Sequence, residues 1–385
     1  MKALILAGGY GTRLRPLTYT CPKPMLPLAG RPVLHHITEF LSNNRLKDII
    51  ITTNYLRERI EVYFGDGSKF GVKIVYSQED EPLGTAGAVK NAEKYLDDDF
   101  VVIQGDNITD MDLGHVLKFH KEKGALATIA LIAVENPWEY GIAELNYENR
   151  VIRFLEKPRP AECFSRLANT GLYIFEQRAL DYIPDKHVYD FSKELFPKLL
   201  QLKERLYGCK VEGFWADIGQ PTSYLAANDW IMSKINQPKI SENAKIKDAI
   251  IKGPVIIEEN VVIENNAKVI GPTIIKEGSI IHPNTVIMPK TVIEPDVEVG
   301  SGSKVINALI YENTNIGSAS TIKNCIVGEL CKVGSSTKIG SGAIIGANCR
   351  IGDNVRIQPN TRIWPDIEID SNCIIKGFLR RYMAS

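Results

Sequence analysis

From Ile257 onward, aliphatic residues recur every six positions: Ile257, Ile263, Val269, Ile275, Ile281, Ile287, Ile293, Val299 and Val305, then Val333, Ile339, Ile345, Ile351, Ile357, Ile363, Ile369 and Ile375. Neither an α-helix nor a two-faced strand has that period. Turn-forming residues follow the aliphatics, as in Ile339-Gly-Ser-Gly, Ile345-Gly-Ala-Asn and Ile351-Gly-Asp-Asn. One inward aliphatic per hexapeptide beside a tight turn describes the stacked coils of a parallel β-helix, which bury a continuous apolar column. The register slips near Ile310 to Ile316 and Val327 to Val333, where one coil is expected to bulge. Phe378 to Ser385 reads as a terminal cap or tail.

The preceding region has another rhythm. Apolar runs at Ala3–Ala7, Asp48–Thr53, Val72–Tyr76 and Phe100–Gln104 alternate with helical stretches near Val33–Leu41, Leu56–Phe64 and Thr85–Leu96. Strand–helix alternation of this kind builds an α/β fold, a doubly wound, mostly parallel Rossmann-like sheet. The character changes at Gln237-Pro238, so two domains are expected, residues 1–236 and 237–385. The chain's 385 residues exceed one ordinary core.

Charge excludes some partners. Forty-six basic residues balance 46 acidic ones, which gives no general attraction to nucleic acid or to an anionic membrane. The N-terminal apolar run is too short for a signal-peptide core, and a cytoplasmic protein is expected. Seven cysteines without a C-x-x-C spacing suggest reduced thiols rather than a disulfide framework or zinc ribbon. Six histidines form no catalytic or metal constellation.

The most chemically specific segment starts where the first strand should end. Leu4-Ile-Leu-Ala-Gly-Gly-Tyr-Gly-Thr-Arg-Leu-Arg (to Arg15) is followed by Pro22-Lys-Pro. Gly8, Gly9 and Gly11 let the backbone approach an anion closely, while Arg13, Arg15 and Lys23 supply positive charge suited to phosphates. The spacing matches neither a G-x-x-x-x-G-K loop nor a G-x-G-x-x-G fingerprint. Three more segments bear on chemistry. Ser77-Gln-Glu-Asp-Glu-Pro-Leu-Gly-Thr-Ala-Gly leads from a strand into a helix, Gln104-Gly-Asp-Asn ends a strand, and Trp215-Ala-Asp-Ile-Gly-Gln-Pro lies far downstream. A carboxylate such as Asp106 among triphosphate oxygens requires an intervening cation, which implies magnesium.

Together these motifs resemble the signature of the sugar-1-phosphate nucleotidyltransferases over essentially the whole chain, and the repeat resembles the left-handed hexapeptide β-helix. The resemblance implies a nucleotide site of Leu6, Ala7, Gly8, Gly9, Gly11, Thr12, Glu79, Leu83, Gly84 and Thr85. It implies Arg13 and Lys23 on the pyrophosphate side, Lys157 on the attacking phosphate, and Gly141, Glu156 and Asn169 around the sugar. Asp106 and Asp217 would hold Mg2+. Within the family, Glu79-Asp-Glu-Pro-Leu-Gly-Thr-Ala-Gly and Asp217-Ile-Gly-Gln-Pro look most like the mannose-1-phosphate guanylyltransferases, which implies GTP and mannose 1-phosphate. Gly105-Asp106-Asn107 also occurs in thymidylyltransferases, so a thymidylyl or uridylyl enzyme is the alternative. Two other classes are an acyltransferase using His282, the only histidine of the repeat region, and a non-catalytic regulatory subunit. The β-helix is expected to assemble the chain into a homo-oligomer.

Overall fold

The computed structural model describes residues 1–380. The chain divides into two compact units, one formed by residues 1–10, 22–25 and 33–218, the other by residues 11–21, 26–32 and 219 onward.

In the first unit, Lys73–Gln78, Asp48–Thr53, Lys2–Leu6 and Phe100–Gln104 lie side by side in parallel. Ala3–Ile5, Ile49–Ile51 and Val101–Ile103 are buried, as the near-continuous apolar runs of central parallel strands require. Leu167–Phe175 joins antiparallel to Phe100–Gln104, and its other neighbours are Ala127–Ala133 and Gly141–Leu145. The nine-stranded sheet is completed by Val151–Glu156, antiparallel to Gly141–Leu145, and Leu206–Lys210, parallel to Ala127–Ala133. The helices Val33–Asn43, Arg57–Phe64 and Gly84–Asn91 fall where periodicity expects them. One small element decides the site. Trp215–Asp217 pairs antiparallel with Asn107–Thr109, so two segments more than a hundred residues apart meet at the end of a parallel strand.

In the second unit, the repeat forms three parallel sheets of nine, eight and eight short strands, about eight turns of a parallel β-helix. The repeating aliphatics form its buried column. Corner residues such as Asn266, Asn284, Asn348 and Asn360 have left-handed backbone, with φ of 59°, 61°, 55° and 60°. Asparagine and aspartate tolerate this conformation better than other non-glycine residues, which explains their recurrence. A second inward row carries hydroxyls. Thr285, Thr314 and Thr337 donate to the carbonyls of Gly300, Gly328 and Gly352 on following coils at 3.1, 2.8 and 3.0 Å.

The expected bulge is instead a contraction. Val305 and Ile310, and one coil later Ile322 and Val327, stand five positions apart rather than six. The lost residue comes from stacked corners, where the Asn307 amide donates to Asn324 at 3.1 Å and the Asn324 amide to Ser341 at 3.0 Å. Both shortened corners coincide, so Ile293, Ile310 and Val327 stay in register. Of the expected cap, Phe378–Leu379 is a strand of the last coil, and residues 381–385 lie outside the described residues. Among the described residues no disulfide joins the cysteines, and no helix is long and apolar enough to cross a membrane.

Candidate active site

The site in the first unit is built where Lys2–Leu6 and Phe100–Gln104 end. The Gly105 amide donates to the Leu6 carbonyl at 2.9 Å, and a Cβ at Gly105 would come within 2.6 Å of that oxygen. Glycine at 105 therefore lets Asp106 lie against the end of the first strand. Pairing of Asp217 with Asn107, and donation from the Ile218 amide to the Asp106 carbonyl at 3.1 Å, bring Asp217 alongside.

Lys23 occupies the space between the two carboxylates. Its Nζ bonds Asp106 Oδ2 and donates to Asp217 Oδ1 at 3.3 Å. Burial opposes the ammonium charge, but Asp106 and then Asp217 outweigh it and hold the Lys23 pKa above the lysine range. Burial likewise works against the Asp106 carboxylate, and Lys23 overrides it, lowering the Asp106 pKa. Two carboxylates and one ammonium leave a formal charge of −1. Asp106 Oδ1 is buried without a hydrogen-bond partner, so the donor set suits a hard cation that takes oxygen ligands. Among the described residues there is no cluster of three or more acidic, histidine or cysteine side chains able to hold a metal, so Asp106 and Asp217 would provide the protein's share of the ligands.

Gly8 and Glu79 meet above the neighbouring strands. A Cβ on Gly8 would lie 2.9 Å from Glu79 Oε1, whereas one on Gly9 would meet nothing within 4 Å. Glu79 is buried, and its Oε2 accepts the Leu83 amide at 3.0 Å. Burial raises its pKa against the opposing hydrogen bonds from Leu83 and Thr52. Gly84 begins its helix with φ of 73°, and a Cβ there would strike the Tyr189 carbonyl at 2.7 Å. The Thr85 hydroxyl serves the packing of this helix, donating to Asp190 Oδ2 at 3.0 Å and accepting the Phe191 amide at 2.9 Å.

The expected sugar residues also converge. Gly141 pairs with Glu156, whose Oε2 lies 2.5 Å from where a Gly141 Cβ would sit. Burial raises the Glu156 pKa, opposed by the Lys157 charge and a hydrogen bond from Ser192. The Asn169 amide donates to Tyr173 at 2.9 Å and to Ser192 at 3.4 Å, so Ser192 links Glu156 to Asn169. Lys157 is exposed, with Nζ 3.9 Å from Glu156 Oε1. Trp215 donates to the Thr170 carbonyl at 2.9 Å and packs against Tyr140 with ring centroids 5.0 Å apart. Ser192, Tyr140 and Trp215 have no role in the sequence reading, although Trp215 lies in the segment Trp215-Ala-Asp-Ile-Gly-Gln-Pro.

Gly11, Thr12 and Arg13 belong to the second unit. Gly11 has φ of 61° and precedes a single 3-10 turn, Thr12–Leu14, in which Leu14 is buried and Arg13 exposed. His282 is bound at both ring nitrogens, to Glu264 at 2.8 Å and Glu298 at 2.6 Å, which leaves no free basic nitrogen for acyl transfer.

A parallel sheet with a glycine loop and facing carboxylates at its strand ends, continued by a β-helix, defines a nucleotidyltransferase-type α/β protein. The chain belongs to the nucleotidyl transferase family: residues 2–234 match that family's model, and residues 269–379 match that of the GMPPB C-terminal domain. It is 40% identical over 248 residues to a UTP–glucose-1-phosphate uridylyltransferase of Synechocystis, covering 61% of this chain and 64% of that protein. It is also 40% identical over 242 residues to a mannose-1-phosphate guanyltransferase of Yarrowia lipolytica, covering 62% and 66%. The matched stretch thus spans slightly under two thirds of these relatives' length. A solved chain described as a glucose-1-phosphate thymidylyltransferase of Bacillus anthracis superposes with a TM-score of 0.55 at 29% identity, covering 62% of this chain and 98% of that one.

Proposed function

We propose that this chain transfers a nucleotidyl group from a nucleoside triphosphate to a sugar 1-phosphate, with GTP and mannose 1-phosphate as the preferred pair. A phosphate oxygen of the sugar phosphate forms a bond to the α-phosphorus, the bond to the bridging oxygen breaks in line, and pyrophosphate leaves. Such chemistry needs positioning and charge neutralisation rather than a covalent nucleophile. The observation that carries this reading is the Lys23–Asp106–Asp217 cluster, with its orphaned Asp106 oxygen at the strand ends. Magnesium bound by Asp106 and Asp217 would supply charge neutralisation on the phosphates. This reading assigns Lys23 and Arg13 to the pyrophosphate side and Lys157, exposed beside Glu156, to the sugar phosphate. Glu156, Asn169 and the Gly141 backbone bind hydroxyls.

The base is the finer part of the proposal. The three relatives' names cover uridylyl, guanyl and thymidylyl transfer. Guanine presents adjacent N1–H and N2–H donors that a carboxylate accepts, whereas uracil and thymine place one N–H between two carbonyls. Glu79 Oε1, beside Gly8, is the acceptor this reading assigns to guanine. Leu6 to Gly9, Leu83 and Gly84 line the same nucleotide site, and self-association belongs to the β-helix.

The test is product analysis by the purified chain with four nucleoside triphosphates and a panel of sugar 1-phosphates. The highest kcat/KM is expected for GTP with mannose 1-phosphate. Preference for UTP or dTTP overturns the guanylyl assignment, and no nucleotide sugar from any pair overturns the transfer reading.

A further inference from the structure

The loop Gly11–Cys21 carries Arg13 and Arg15 and lies in the same compact unit as the β-helix. Its two single 3-10 turns, Thr12–Leu14 and Leu17–Tyr19, are too short to satisfy their own carbonyls. One coil of the repeat supplies what they lack. Arg362 Nη1 donates to the Arg13 carbonyl at 3.2 Å and to the Arg15 carbonyl at 2.9 Å. The next residue, Ile363, is fully buried in the aliphatic column and anchors the strand from which Arg362 points outward. Two residues on, the Trp364 ring lies 6.2 Å from the Tyr19 ring, and Tyr19 in turn lies under the Arg15 guanidinium at 4.6 Å from centroid to Cζ. Within the loop, the Thr18 hydroxyl donates to the Gly11 carbonyl at 2.9 Å.

We propose that Arg362 is a positioning residue for nucleotidyl transfer, in which a β-helix side chain sets the backbone of the Arg13–Arg15 segment, the segment assigned above to the triphosphate. This rests on the transfer reading above. The physical logic is that of a scaffold. A short loop attached to a glycine run has many accessible conformations, while a stacked β-helix has few, and bonds to two carbonyls pass that rigidity to the loop. Arginine suits the role because its guanidinium stays charged and presents several donors in a fixed plane. Both bonds go to carbonyls rather than to carboxylates, so Arg362 brings a third guanidinium charge to a loop already carrying two. Their mutual repulsion is relieved when a polyanion binds.

The test compares full-length wild type with Arg362→Ala and Arg362→Lys in initial rates, hydrogen exchange and thermal unfolding. Arg362→Ala is expected to lower kcat/KM for the nucleoside triphosphate roughly 10- to 100-fold, the scale of a misplaced catalytic group, while KM for the sugar 1-phosphate and the melting temperature stay unchanged. Faster exchange should be confined to peptides covering residues 11–19, Arg362→Lys should retain intermediate activity, and added guanidinium ion should restore part of the loss. Wild-type exchange in that loop with unchanged triphosphate kinetics overturns the proposal. So does an equal loss on both substrates that tracks a lowered melting temperature. A wild-type chain that transfers no nucleotide overturns the transfer reading alone, because loop exchange still decides whether Arg362 holds the loop.

Discussion

At the residue scale, Asp106, Asp217 and Lys23 form one charged cluster. Each carboxylate bears on the charge balance of the other two groups, so removing one charge is felt across the cluster. Asp106→Asn and Asp217→Asn are each expected to lower kcat about 10²- to 10³-fold at saturating magnesium, the scale of a lost preorganised electrostatic contact, with the fold intact by circular dichroism. Near-wild-type kcat in either variant removes that aspartate from the site. Glu79 is the residue on which the proposed choice of guanine rests. Glu79→Gln should shift preference from GTP toward UTP or dTTP by roughly 1–3 kcal/mol, the scale of one buried unsatisfied polar group. An unchanged ranking of the triphosphates in competition assays contradicts the assignment. The carboxylates were legible as motifs, but the ammonium between them was not. Lys23 reads in sequence as a phosphate ligand, and only the meeting of three distant segments shows that it bonds Asp106 and Asp217.

At the scale of elements, the aliphatic hexapeptide showed the β-helix and the apolar runs showed the parallel strands, because both patterns record which side chains must leave water. The pairing of Asn107–Thr109 with Trp215–Asp217 left no such record, since these strands are three residues long and depend on partners far away in the chain. The contraction at Asn307 and Asn324 was visible as a slip, but spacing alone does not say whether a coil gains or loses a residue. The ladder Glu264–His282–Glu298 offers a test of how coils hold together. Burial lowers the His282 pKa, but hydrogen bonds to Glu298 and Glu264, aided by their charge, outweigh it and raise the pKa. A raised folded pKa makes this contribution complete below the unfolded value of about 6.5, and it is lost as pH rises through the folded value. Wild type should therefore melt above His282→Gln in mild acid, with the gap closing toward alkaline pH. The effect is modest because the ladder is partly exposed. A gap independent of pH contradicts the role given to the ladder.

For the whole molecule, the proposed division at residue 236 describes sequence better than packing. The helix Pro221–Ser233 and residues 11–21 and 26–32 pack within the unit that contains the β-helix. Fully buried Tyr224 hydrogen bonds Tyr311 at 2.8 Å, and Asn228 accepts the Ala29 amide at 2.9 Å. A chain ending at Asn236 loses Tyr311 and Arg362 and exposes apolar surface. It should aggregate or change its size distribution in light scattering, and residues 11–19 should lose exchange protection. An unchanged size and melting temperature contradict this. Such long-range dependence was not legible, because nothing in a six-residue period marks which coil meets a loop more than 300 residues earlier. The proposed nucleotidyl transfer at the Asp106–Asp217 site is read from the fate of label. With GTP and mannose 1-phosphate, an α-phosphate label is predicted to enter the nucleotide sugar and a γ-phosphate label to leave in pyrophosphate, both at a rate cut by Asp106→Asn. Transfer of the γ label to the sugar, or no label transfer at all, would contradict the account.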